Sequence, residues 1–238
     1  MNITVNLDNL KSDEREKLLG LINKASSPMK EEFSCVKRRE DKLTWEELGE
    51  TIEAGKAQDF FGGKGSISVE VEGIGTVIFD IIGYDAEKLA EDKHHSITLW
   101  MRNLILDKMA FNAEDNNKWE ESDIRKHINS EEFINRFEPG FRELICPVYK
   151  DNGECIDTVD RFFLLSKEEL EGGYEYINTE ADRVKVDKNG ETDWHWTRSA
   201  NRGLAYSTWC VTASGIVYSY GSGAYWARRF SPACVIAR

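Results

Sequence analysis

The sequence predicts an α+β domain of short antiparallel strands, two or three helices and long loops gathered toward the C-terminus. Three observations carry this. Apolar residues alternate over short runs such as Ile67, Val69 and Val71, the period of a half-buried strand. Two Ser/Thr-x-x-Glu spacings, Thr44 to Glu47 and Ser166 to Glu169, each precede an apolar run, as at a capped helix start. From Gly203 to Arg228 the chain is mostly Gly, Ala, Ser and Tyr.

In chain order, Asn2–Leu7 alternates like a strand and Ser12–Ala25 has a helical stripe of Leu18, Leu19 and Ile22. Residues 26–43 are polar and irregular and read as a linker, which divides the chain into an extension, 1–43, and a main domain, 44–238. Trp45, Leu48 and Ile52 then share a helical face, and Gly55 suits its stop. The glycine-rich turn 62–65 leads into two strands joined at Gly73-Ile74-Gly75, the second covering Thr76–Ile82. That turn has no Walker spacing and no following helix, so it is not read as a phosphate cradle. Ser96–Leu99 is a further strand, and 104–111 fits either type.

Trp119 and Ser122 open one amphipathic helix carrying Ile124, Ile128, Phe133, Ile134 and Phe137, ended by Pro139-Gly140. Phe141, Leu144 and Ile145 make a short second turn of helix. Asp151-Asn152-Gly153 is a turn, Ile156–Leu165 a hairpin arm, and Gly172-Gly173 closes the helix that Ser166 begins. Asp187–Gly190 is a loop before the alternation Trp194, Trp196, Arg198.

Composition limits the function. Among 238 residues, 40% are apolar and 11% aromatic, enough for a sizeable core. The net charge of −12 argues against general nucleic-acid or anionic-membrane binding. No apolar run is long enough to span a bilayer. The N-terminus has no apolar signal core, so cytoplasmic synthesis is expected, with a place in a virion as one destination. Five dispersed cysteines without a CxxC pair, and four histidines without zinc spacing, predict reduced thiols, no metal and no cofactor.

The charge is unevenly distributed. All 43 acidic and 26 basic residues lie at or before Asp193, leaving that part at −17 and the tail, with five arginines alone, at +5. Tyr and Trp give stiff amphipathic contact area, and Ser and Gly give adaptable hydrogen bonding, the mixture found in binding surfaces. The same residues also suit internal strands.

Four motifs in order carry a family resemblance: Trp119-x-x-Ser122-x-Ile124-Arg125-x-x-Ile128-Asn129, Asp160–Ser166-x-x-Glu169, Trp194-x-Trp196-x-Arg198-Ser199, and Phe230–Ile236. Together they resemble a domain family of gut bacterial and phage genomes, related to the C-type lectin-like fold, over Thr44 to the end. Thr197 replaces the Leu of its W-x-L-R-S motif, and Arg229-Phe230-Ser231-Pro232 stands for its usual G-V-R-P. Some members are variable proteins of diversity-generating retroelements, in which adenine randomisation turns AAC codons into NNC. Residues 203–228 look like such a repeat. Trp is not an NNC residue, so Trp209 and Trp226 would be scaffold or come from another codon.

The resemblance implies a lectin-like scaffold displaying variable side chains to an unknown protein or surface ligand, compatible with a homo-oligomer. Trp194, Trp196, Val211, Val217, Val235 and Ile236 would be buried. The exposed face would be drawn from Tyr206, Ser207, Thr208, Thr212, Ala213, Ser214, Tyr218, Ser219, Tyr220, Ser222, Ala224 and Tyr225, with Arg228 for an acidic ligand. Arg198 could do the same or pair with an acid of the body. Three rivals remain. A formylglycine-generating-like enzyme would need Cys210 and Cys234 as reactive thiols. A calcium-dependent sugar binder would need Asp182, Asp187 or Asp193. A phage structural protein would use the tail as a fixed interface.

Overall fold

The computed structural model describes residues 43–238. The strand expected at Asn2–Leu7, the helix at Ser12–Ala25 and nearly all of the linker lie outside them. The capping box at Thr44 forms: its hydroxyl accepts from the Glu47 amide and the Glu47 carboxylate accepts from the Thr44 amide, opening α1 (Trp45–Glu53). A short α2 (Ala57–Phe61) follows.

β1 (Ser66–Val71) buries Ile67, Val69 and Val71 and exposes the residues between them, as their alternation requires. It forms a hairpin with β2 (Gly75–Tyr84), and β2 pairs with β3 (Ser96–Met101), which is buried along its whole length. The last strand of the chain, β12 (Ala233–Ala237), returns to the middle of this sheet. It pairs antiparallel with β3 on one side and with β7 (Phe162–Phe163) on the other. The order is β1-β2-β3-β12-β7. β5 (Val148–Lys150) and β6 (Thr158–Asp160) form a separate hairpin.

The single helix expected from Trp119 to Phe137 is three pieces: a 3₁₀ turn (Trp119–Glu121), α3 (Asp123–Ile128) and α4 (Glu131–Ile134). Capping chemistry divides it. Ser122 and Ser130 each accept an amide of the following turn, so each starts a new helix where the apolar spacing alone suggested continuation. Pro139 likewise opens α5 (Pro139–Leu144), at its first position, instead of ending the helix before it. The apolar positions still converge. Phe79, Phe133, Phe137, Phe141 and Phe162 form one aromatic cluster with neighbouring centroids 5.0–6.3 Å apart.

The tail departs most from expectation. In place of loops, it forms a three-stranded antiparallel sheet ordered β10-β9-β8 from β8 (His195–Ala200), β9 (Ser207–Val211) and β10 (Val217–Gly223). β11 (Ala227–Arg228) then pairs with β4 (Met109–Ala110). Gly215 makes the β9–β10 turn with φ +87°, and a Cβ there would lie 1.9 Å from the carbonyl oxygen of Glu180 in α6 (Glu180–Arg183). The hairpin register breaks between Tyr218 and Ser222, where Gly221 has φ +64°.

The four motifs hold one another. Trp119 Nε1 donates to Asp160 at 2.8 Å and Arg125 Nε to the other Asp160 oxygen at 2.6 Å. Asn129 accepts from the amides of Arg161 and Phe162 and donates to the Phe162 carbonyl. The Ser166 capping box forms, but the chain continues into a π turn (Glu169–Gly173) with Gly172 at φ +143°. The Glu169 carboxylate also accepts from both terminal nitrogens of buried Arg198, Nη2 at 2.9 Å, and from Lys150 at 2.7 Å. Lys150 in turn pairs with Glu87 at 2.8 Å, and Glu87 accepts from the Tyr174 hydroxyl.

Removing one member of this buried quartet strands a charge. Glu169→Gln is therefore expected to lower unfolding free energy by roughly 3–5 kcal/mol. The measurement is chemical denaturation at neutral pH, with Glu171→Gln, at an exposed carboxylate, as the control. A loss equal to the control would contradict the account.

Candidate functional site

The three-stranded sheet has two ends, and the side chains expected to form one face are divided between them. At one end the β8–β9 turn (Arg202–Tyr206) meets the β10–β11 turn (Ala224–Trp226), joined by the Ala224 amide donating to the Tyr206 carbonyl at 2.8 Å. At the other end lies the β9–β10 turn, carrying Thr212, Ala213 and Ser214. The five residues of β9 between them span ~16 Å. One ligand-sized patch does not cover both.

At the first end, Tyr206, Tyr225 and Trp226 are 49%, 50% and 56% exposed, and Leu204 is exposed beside them. The Tyr225 and Trp226 rings lie 5.0 Å apart at 32°. Trp226 is exposed, which leaves the other-codon alternative for it; Trp209 is half-buried, with Lys167 over its ring at 4.9 Å.

Four candidates are corrected. Ser207, Thr208, Ser222 and Ala224 are buried. Two of them, Ser207 and Ala224, are held by the loop 112–117, which no local pattern announces. Its Asn112 amide donates to the Ala224 carbonyl, and its Asn117 amide donates to Ala205. The Asn117 side-chain amide then reaches the carbonyls of Asn201, Leu204 and Ser207 at 3.1, 3.1 and 2.8 Å. Ser222 accepts from Arg228. Thr212 and Ala213 are partly covered and Ser214 is exposed at the far end. Tyr218 is partly buried against Trp194, with centroids 5.2 Å apart. Ser219 and Tyr220 belong to β10, and their side chains lie outside the described ones. Of the residues expected inside, Trp196, Val211, Val235 and Ile236 are buried, while Trp194 and Val217 are only half so.

The tail arginines largely turn inward. Arg198 spends its donors on Glu169, Asn152 and the carbonyls of Leu164 and Asp151, the pairing with an acid of the body that the sequence allowed. Arg229 pairs with Asp187 at 3.4 Å and approaches Asp193 at 3.9 Å. Arg228 stacks over Trp194 at 5.1 Å. Arg198 also floors a polar cleft of about 580 Å³, walled by the 151–155 loop, the 199–202 segment and Lys118.

The other candidate groups are occupied or shielded. Asp182 is paired with Lys64 at 2.8 Å, and Asp193 with Lys108 at 2.8 Å. Cys210 and Cys234 are buried and free, and burial pushes the Cys210 thiol up to about 12 and that of Cys234 higher still. His195 was not singled out by any motif. It is fully enclosed beside Trp100, neither ring nitrogen has a hydrogen-bond partner, and burial reinforced by Lys185 pushes it down to about 3.

With this geometry established, one comparison is informative. Residues 95–237 match the family described as "Domain of unknown function (DUF6273)". The chain belongs to that family. The DUF6273 region starts at β3 and runs through β12, so it holds all four motifs, the quartet's Lys150, Glu169 and Arg198, and the exposed aromatic end. No curated protein and no solved structure matches the chain. Among the described residues, no helix is long and apolar enough to cross a membrane and no cluster of His, Cys, Asp or Glu could hold a metal ion.

His195 makes acid stability testable. Its folded pKa of about 3 lies below the ordinary value near 6.5, so the folded state binds fewer protons. Stability from this residue is complete above pH ~6.5 and is lost as pH falls toward about 3. Melting temperature should therefore fall between pH 6.5 and 4.5, before Glu169, held at about 2, begins to titrate. In His195→Leu that early fall should shrink by more than half; an unchanged profile would sink the assignment.

Proposed function

We propose that this chain is a non-catalytic ligand-binding protein of C-type lectin-like fold, and that its recognition surface is the end of the tail sheet carrying Leu204, Tyr206, Tyr225 and Trp226. The observation behind the reading is the contrast between the two sides of that end. Large aromatic side chains reach solvent, while the backbone beneath them is hydrogen-bonded to the 112–117 loop. A stiff aromatic surface loses little entropy on binding, which is what such a surface needs. The antiparallel sheets and short helices are compatible with the lectin-like scaffold. Thiols held well above the ordinary range favour binding over cysteine chemistry.

In the first form of this reading, residues 203–228 are diversified by a retroelement. Tyr206 and Tyr225 are accessible NNC residues and fit it. One observation favours the second form, a fixed interface of a phage structural protein: the most exposed aromatic among the described side chains, Trp226, is not an NNC residue.

Sequencing the gene and its flanks in related isolates separates the two. Diversification requires a reverse-transcriptase gene, a near-copy of the segment, and adenine-specific variation concentrated at the codons of exposed positions. Identical segments with no near-copy would leave the fixed interface. Either form requires the surface to be separable from the core. Tyr206→Ala, Tyr225→Ala and Trp226→Ala combined should cost less than about 1.5 kcal/mol in urea denaturation, since surface changes are usually small. A loss above about 4 kcal/mol would mean these rings belong to the interior.

A further inference from the structure

The acid-free tail suggests an acidic ligand, but the surroundings of its exposed aromatics have the opposite charge. The loop between Asn112 and Asn117 is fastened at one end to Ala224 and at the other to Ala205. It thereby sets Glu114 and Asp115 beside the turns that carry Tyr206, Tyr225 and Trp226. Glu120, Glu121 and Asp123 continue the acidic stretch immediately after it. Glu121 and Asp123 are matched by Lys118 at 3.0 Å and Lys126 at 3.3 Å. Glu114, Asp115 and Glu120 have no ion-pair partner among the described residues, and one buried oxygen each of Asp115 and Glu120 accepts no hydrogen bond.

The nearby cations do not balance these acids. Arg202 pairs with Glu154 at 3.4 Å, on the side of the polar cleft, and Arg228 is stacked on Trp194 and bonded to Ser222. An aromatic patch bordered by unmatched carboxylates attracts positive charge twice, by Coulomb attraction and through the negative faces of its rings. The net charge of −12 adds long-range steering of the same sign.

We infer that the aromatic end of the tail sheet docks a basic protein segment, one that presents Lys or Arg beside apolar side chains. This rests on the recognition surface proposed above and adds the chemistry of its partner. The apolar side chains would cover Leu204, Tyr225 and Trp226, and the cation would sit between the rings and Glu114 or Asp115.

The test uses the full chain and two labelled synthetic peptides of equal length, one alternating Leu with Arg and the other Leu with Glu. Binding is read by fluorescence anisotropy at near-physiological salt. The Leu-Arg peptide should bind about tenfold more tightly than the Leu-Glu peptide. Trp226→Ala should weaken it about fivefold or more, as should Glu114→Gln with Asp115→Asn, and Asn is tolerated at the left-handed φ of +59° there. Neutralising two remote exposed acids, Glu46→Gln with Asp59→Asn, should change it less than twofold. An equal loss in that control would reveal general attraction to an acidic protein and overturn the inference. Tighter binding of the Leu-Glu peptide, abolished by Trp226→Ala, would overturn the basic partner while upholding the surface. Binding of neither peptide, or binding indifferent to Trp226, would also overturn the inference; the recognition surface itself would then stand or fall on the stability and sequencing results above.

Discussion

The position of the tail sheet depends on one carboxylate. Glu169 accepts from Arg198, Lys150 and the Ser166 amide, so three elements distant in sequence meet at two oxygens. Burial alone would raise this acid, but the two cations outweigh it and hold it at about 2. With Glu87 the group is two positive and two negative charges, neutral as a set and unfavourable in part. Such an arrangement adds less net stability than an apolar core of the same size. It does exclude alternatives: any packing that shifts β8 relative to β5 leaves a guanidinium or ammonium group in the interior unpaired.

The sequence motifs have the same character. Trp119, Arg125, Asn129 and Asp160 bond one another, as do Glu169 and Arg198. Their spacing records how β6, β7 and the helices on either side are held together. A ligand contact is not needed to explain them. The DUF6273 match spans this network, and the exposed aromatics sit between the third and fourth motifs.

What could be read from the chain follows from the range of the forces involved. The Thr44 and Ser166 boxes and the alternation of β1 are local, set within three or four residues, and were legible. A single helix from 119 to 137 is what the apolar spacing predicts, because that spacing persists through Ser122 and Ser130, where hydroxyl caps restart the helix. At the candidate site, Tyr206 and Tyr225 were found by composition, but Ser207, Thr208, Ser222 and Ala224 resemble them in composition and are buried. For Ser207 and Ala224 the difference comes from Asn117 and Asn112, 90 and 112 residues away along the chain. The charge of the tail misled in a similar way. Arg198, Arg202, Arg229 and Arg238 all pair with acids of the preceding region, so four of the five tail charges are matched internally.

The register break in β10 has a further consequence. Opposite the single residue Trp209, the partner strand spends three, Ser219, Tyr220 and Gly221, before the ladder resumes at Ser222. The two halves of the hairpin are thus aligned independently: Val217 and Tyr218 by the Gly215 turn, Ser222 and Gly223 by their own pairing with Thr208 and Ser207. A codon gained or lost between them would be absorbed as a larger or smaller loop, and Tyr225 and Trp226 would keep their places. Length polymorphism in this gene should therefore be tolerated at that point of β10, and be selected against within β9.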